Sequence, residues 1–259
     1  MTLAKPPAPI EVINDTQGEI VNFFKQLREN GDKLRELIRL TPYSREEFEQ
    51  SRIRSEEMDK LERARRFFVA AMMSINGSFG NRPGGFSLSN SYSRNGMEAR
   101  VSRWHNMPEH LDEVVARLRR VRVEHRDALS LFKDFQNRPA TLVYFDPPYL
   151  ADRTEGYDHD QLSPDFHKKL LKVANAAQCM VFISGYKSEL YTKTLTKDRG
   201  WSELVLNSVT KGNNGKSFAR EEVVWFNEAY TRASRDNKIK LRLSKKEAQN
   251  KKINPVRVK

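Results

Sequence analysis

The chain holds a single cysteine, Cys179, among its 259 residues. No disulfide can form within it, and the usage fits a protein kept in a reducing cytoplasm. Cys179 lies inside the apolar run CMVFI and reads as a small buried hydrophobe. Long hydrophobic runs are also missing. That five-residue run is far short of the roughly 20 residues a membrane-spanning helix needs, so no membrane partner is expected. The opening MTLAKPPAPIEV has no apolar stretch followed by a cleavage site, so no signal peptide is expected and the location read from sequence is cytoplasmic. Histidine is sparse. His105, His110, His125, His159 and His167 lack metal-ligand spacing, so they read as surface or structural residues and no metal site is expected.

Charge is plentiful and unevenly placed. The formal net charge is +12, and residues 231–259 carry eleven Lys/Arg against two Asp/Glu, a local +9. This segment has few large apolar residues, so it reads as a mobile basic tail that attracts polyanions without reading sequence. A solvated tail with no dedicated partner is the plainer alternative. With 38% hydrophobic residues the rest has enough apolar material for one α/β core plus a modest insert.

Four segments follow from the pattern. Residues 1–39 read as a short strand, IEVIND, and helical spacing at Ile20, Phe23, Phe24, Leu27, Leu34, Leu37 and Ile38. Residues 40–120 read as an insert. Ser44 and Glu47 form a capping box that starts a long charged helix running into the Phe67 to Met73 region. The stretch NGSFGNRPGGFSLSNSYSRNG then forms a loop, with Phe79, Phe86 and Tyr92 interleaved with Arg82 and Arg94. Pro108 opens a further helix. Residues 121–230 alternate strand and helix, ending in a strand pair around a loop that holds Lys211 and Lys216, two candidate contacts for a polyanion. The alternation implies a mostly parallel sheet covered by helices. Residues 231–259 are the basic tail.

The chemistry concentrates in Asp146-Pro147-Pro148-Tyr149, directly after the apolar strand TLVYF. Open α/β sheets place their sites at the carboxyl ends of strands. A carboxylate at Asp146 and the carbonyl of Pro147 can accept the two N–H bonds of an exocyclic aromatic amine, freeing its lone pair. Two consecutive prolines hold that carbonyl in place. Tyr149 offers a ring face for stacking a base turned out of a duplex. A rigid turn leaving a strand is the plainer reading of the same residues.

The segments EVINDTQGEIVNFFKQLR, RRFFVAAMMSINGSFG, VEHRDAL, LVYFDPPYL and REEVVWFN together resemble the Dam-like class of adenine-specific (N6) DNA methyltransferases, from about Ile10 to about Asn227. The resemblance implies a Rossmann-like α/β sheet dependent on S-adenosyl-L-methionine, with residues 40–120 as a target-recognition insert. It implies duplex DNA as substrate, in a restriction–modification or phage-borne setting. The leading Asp of the tetrapeptide favours adenine over cytosine. Asp15 would hold the cofactor ribose, and Asp127 with Ala128 the cofactor adenine. Each of those aspartates can alternatively be a helix N-cap. Arg82 and Arg94 would contact DNA, although an ordinary surface loop fits them too.

One departure stands out. In the resembled class a first strand and a glycine-rich loop precede the strand that ends at Asp15, and no such glycines precede Asp15 here. The expectation is an N-terminally truncated enzyme lacking that strand and loop, inactive alone or completed by a separate N-terminal fragment. The alternatives are a non-catalytic DNA-binding remnant and an RNA or protein amine methyltransferase.

Overall fold

A computed structural model describes residues 5, 7–75, 84–89, 91, 96–148, 150, 163–211 and 217–239, with the side chains of 207–211 and 217–220 left aside. In chain order the elements are β1 (Val12–Asn14), α1 (Gly18–Glu29), α2 (Gly31–Leu40), α3 (Arg45–Ser51), α4 (Lys60–Met73), α5 (Ala99–His105), α6 (Met107–Leu118), β2 (Arg122–Glu124), α7 (Ala128–Lys133), β3 (Leu142–Phe145), α8 (Pro164–Asn175), β4 (Met180–Tyr186), α9 (Glu189–Thr194), β5 (Trp201–Lys211), β6 (Ser217–Asn227) and α10 (Glu228–Arg235).

The strands form two separate sheets among the described residues. β1 and β2 make a parallel pair with Val12 opposite Arg122. The other four run in the order β3-β4-β6-β5. β3 and β4 are parallel, whereas β6 is antiparallel to both of its neighbours. A single, mostly parallel sheet was the expectation. The difference arises at β5 and β6, joined by five residues, too few for a parallel crossover, and in β1 and β2, which pair apart from the other four strands.

Each sheet has its own core. The first gathers Phe23 and Leu27 of α1, Leu34 and Ile38 of α2, Phe48 of α3, Phe67 and Phe68 of α4, Trp104 of α5, and Leu111 and Leu118 of α6. Residues 1–39 and 40–120 therefore share one core. Phe23 stacks on Phe68 at 5.2 Å. Trp104 donates its indole N–H to the Thr41 carbonyl at 2.8 Å, which satisfies its only polar side-chain atom inside the core. The second core packs Leu170, Leu171 and Ala174 of α8 against Val181 and Ile183 of β4, with Trp225 of β6 and Phe132 of α7. Cys179 is fully buried there, and burial pushes its thiol up to about 11, so the structural reading of this residue holds.

The long helix expected from Ser44 is broken. Ser44 caps α3 by accepting from the Glu47 N–H at 3.1 Å, but α3 stops at Ser51 and α4 starts afresh at Lys60. Asp59 begins that second helix, accepting from the backbone of Leu61 and Glu62 at 3.0 Å each. Arg66 holds the intervening turn by donating to the carbonyls of Gln50 and Ile53, at 3.1 and 2.9 Å. Arg65 ties the two helices together through Glu47, at 2.9 Å. These tertiary bonds decide a boundary that helix propensity alone would erase.

At the other end, Asn227 closes the second sheet. Its side chain accepts from Val181 N–H at 3.0 Å and donates to the Cys179 carbonyl at 2.9 Å. The same oxygen accepts from the Tyr230 N–H at 3.3 Å and so caps α10. Tyr230 then packs edge-on against Phe182 at 4.4 Å. α10 thus carries helix to Arg235, beyond the start of the basic segment at Thr231; residues 240–259 lie outside the described residues.

Candidate active site

β3 delivers Asp146. Phe145 ends the strand, buried, and meets Phe132 of α7 edge-on at 5.0 Å. That packing fixes where the chain leaves the sheet. Asp146 comes next and is exposed, followed by half-buried Pro147 and Pro148. The Asp146 carboxylate is tethered: Oδ1 accepts from the Ser184 hydroxyl at 2.6 Å. Ser184 is fully buried on β4. Tyr144 lies beside Ser184, and burial raises its phenol above the ordinary value. Tyr149 lies outside the described residues.

The β1–β2 pair delivers the other two candidates. Asp15 directly follows β1, and its Oδ1 accepts from the Gln17 N–H at 2.8 Å, shaping the turn into α1. Asp127 lies shortly after β2 and caps α7, accepting from the Ser130 N–H at 2.7 Å. Ala128 is the first residue of that helix. The N-cap alternative for Asp127 is therefore what the structure contains, whereas Asp15 makes an Asx turn with Gln17 in the cap position. A cap occupies one carboxylate oxygen, so capping and ligand binding are compatible for Asp127.

Two side chains hold these loops side by side. Asn14 donates to the Arg126 carbonyl and accepts from the Arg126 N–H, both at 3.0 Å. Its amide thereby extends the β1–β2 ladder by one rung. His125 Nε2 lies 3.0 Å from the Thr16 carbonyl. Neither Asn14 nor Ser184 was singled out from sequence. IND and VFIS give no local sign that their polar side chains bind across strands.

The DNA candidates fare differently. Arg82, Arg94 and Lys216 lie outside the described residues, as does the side chain of Lys211, which ends β5. Phe86, read as part of a DNA-contacting loop, packs instead on Tyr43 at 5.1 Å and Phe48 at 5.7 Å, beneath Arg45. Arg117, on the charged side of α6, is committed to Glu11 in a buried ion pair at 2.8 Å. Arg119 and Arg120 remain exposed. Among the described residues no cluster of His, Cys, Asp or Glu could hold a metal ion, and no helix is long and apolar enough to cross a membrane.

Residues 3–208 match the family described as D12 class N6 adenine-specific DNA methyltransferase. A match over that much of the chain places it in the family: the protein is a member of the D12 class of N6 adenine-specific DNA methyltransferases. It is also similar to Type II methyltransferase M1.LlaDCHI of Lactococcus lactis subsp. cremoris, 24% identical over 233 residues, covering 82% of this chain and 76% of the relative.

Proposed function

We propose that the protein methylates the 6-amino group of adenine in duplex DNA, with the target base turned out of the helix and S-adenosyl-L-methionine as donor. The observation that carries this reading is a carboxylate, Asp146, held by Ser184 at the carboxyl end of a parallel strand and followed by two prolines. The donor supplies an electrophilic methyl on a sulfonium, whose C–S electrons stay with sulfur as the new N–C bond forms. Asp146 accepts one N–H of the amine and takes the proton that the methylated nitrogen must lose. The Pro147 carbonyl accepts the other N–H, and Tyr149 stacks on the base.

Asp15 and Asp127 fit the adenosine part of the donor. They are carboxylates on adjacent loops at the ends of two paired parallel strands. One suits a pair of ribose hydroxyls and the other an exocyclic amino group. The methionine part calls for a close backbone approach that glycine permits. We propose that a separate N-terminal segment carries that loop and inserts its strand between β1 and β3. The support is the divided sheet. Among the described residues β1 pairs only with β2 and β3 only with β4, and Leu142 on β3 is 47% exposed, although strands of parallel sheets are ordinarily covered. The same gap favours the second reading, that this chain alone binds DNA without methylating it. The relative's Type II name supports a restriction–modification setting, and duplex DNA as substrate a cytoplasmic one.

Equilibrium binding of S-adenosyl-L-methionine separates the readings. Asp15→Ala and Asp127→Ser each weaken it about tenfold, the size of a lost charged hydrogen bond. Serine keeps a capping hydroxyl for α7, so a loss there reports the ligand and not the helix. Unchanged affinity in both variants contradicts the assignment. DNA binding with no cofactor binding, by the wild-type chain both alone and with a segment supplying the glycine-rich loop, supports the non-catalytic reading.

The basic segment has its own test. Deleting residues 240–259 removes eight Lys/Arg and one Glu and leaves α10 intact. DNA affinity falls, and the slope of log K against log salt drops by about 2 or more, at about 0.9 for each phosphate no longer neutralised. An unaltered slope shows that the segment does not touch DNA.

A further inference from the structure

We propose that Ser184 is a positioning residue for Asp146, fixing one carboxylate oxygen so that the other faces the amine; this rests on the role given to Asp146 above. β3 and β4 pair in register with Phe145 opposite Ile183. Asp146 follows directly after β3 and Ser184 is the next residue of β4, and their side chains meet at 2.6 Å. That is the short end of the range for a hydroxyl donor and marks a charge-assisted bond.

Ser184 is an odd residue for its place. It is fully buried, on a strand where Val181 and Ile183 are buried too. A buried hydroxyl without a partner costs free energy, so a strand under no other constraint favours an apolar residue there. The competing acceptor, the Phe145 carbonyl, is farther away at 3.3 Å. The single hydroxyl proton therefore goes to the carboxylate. The Tyr144 hydroxyl also hydrogen-bonds Ser184, and as a phenol it can donate to the serine oxygen while the serine proton goes to Asp146.

The consequence is geometric. An exposed aspartate at a strand end rotates freely about its side-chain bonds. With Oδ1 pinned from the buried side, the plane of the carboxylate is set by the sheet. Oδ2 is then left pointing away from Ser184, where an incoming amine would find it without first ordering the group. Preorganisation of this kind acts on the reacting geometry and leaves ground-state binding alone.

The test is steady-state transfer of labelled methyl from S-adenosyl-L-methionine to unmethylated duplex DNA of mixed sequence by the full chain, alone and with a segment supplying the glycine-rich loop, with Asp146→Ala as control. Ser184→Ala lowers kcat about tenfold or more and leaves KM for DNA and donor unchanged. Ser184→Thr keeps the hydroxyl and restores kcat. Ser184→Cys keeps the volume but has only a weak donor, so it behaves like Ala. Thermal unfolding of each variant reads any purely structural effect separately. Wild-type kcat in Ser184→Ala, while Asp146→Ala is dead, overturns the positioning role alone. Recovery by Cys but not Thr also overturns it, because size and not the hydrogen bond would then matter. Absence of transfer by the wild-type chain both alone and with that segment, or retained transfer in Asp146→Ala, takes down the proposed function and this role with it.

Discussion

Asp146→Ala reduces methyl transfer by about a thousandfold or more, while affinity for duplex DNA changes by less than about twofold. The substitution removes the group that draws the amine's lone pair out of the aromatic ring and receives its proton. Asp146 is exposed and its only described bond is to Ser184. Ser184 loses its nearer acceptor and keeps the Phe145 carbonyl at 3.3 Å, so fold stability falls by only about 1 kcal/mol. Asp146→Asn is nearly as damaging. Its one carbonyl oxygen can accept from Ser184 or from the substrate, and its amino group would meet the substrate amine donor to donor. Transfer rates near wild type in both variants contradict the placement of the reaction at the end of β3. A matching loss of DNA affinity would mean that Asp146 serves binding and not chemistry.

The second large effect concerns the fold. Glu11→Ala destabilises the protein by about 3 kcal/mol, the cost of leaving a buried charge without its partner. Glu11 immediately precedes β1, and its side chain is 3% exposed. It pairs with Arg117 at the end of α6 and with Lys5. Its own backbone carbonyl accepts from Arg122 N–H at 2.9 Å, so the ion pair sits where β1, β2 and α6 converge. The Arg117 guanidinium and Lys5 hold the Glu11 carboxyl down to about 2, from an ordinary 4.5. The folded state thus prefers the ionised carboxylate. Its contribution is fully present above about pH 4.5 and is lost as pH falls through about 2. Urea unfolding at neutral pH and at about pH 3 reads both claims. Glu11→Gln loses stability at neutral pH and shows a shallower further decline on acidification than wild type. Equal slopes in the two proteins would place the acid sensitivity elsewhere. Replacing both partners by apolar residues of similar volume should recover much of the loss, since desolvation of the pair then disappears as well.

What could be read in the sequence follows the range of the interactions. Asp146-Pro147-Pro148 after TLVYF was legible because strand, turn and carboxylate are contiguous, and β3 ends where the pattern places it. The caps at Ser44 and Asp127 were legible for the same reason: each bonds a backbone N–H three residues on. The break between α3 and α4 was not. The residues between Ser51 and Asp59 are mostly compatible with helix, and the turn is decided by Arg66 reaching back to Gln50 and Ile53. Ser184 and Asn14 escaped notice because their partners come from elsewhere in the sheets, 38 and 112 positions away. Which strands pair with which was not legible either. Strand pairing is a contest among distant segments, and the local pattern of β1 is the same whether its outer edge is covered or open.

The measurement that bears most directly on the central claim is the fate of a labelled methyl group. Unmethylated duplex DNA is incubated with the chain and labelled S-adenosyl-L-methionine, then digested to nucleosides. The account predicts label in N6-methyladenine, dependent on Asp146. Label in N4-methylcytosine, or in RNA or protein in place of DNA, would contradict it. So would no label at all from a chain that binds DNA, both alone and with a segment supplying the glycine-rich loop.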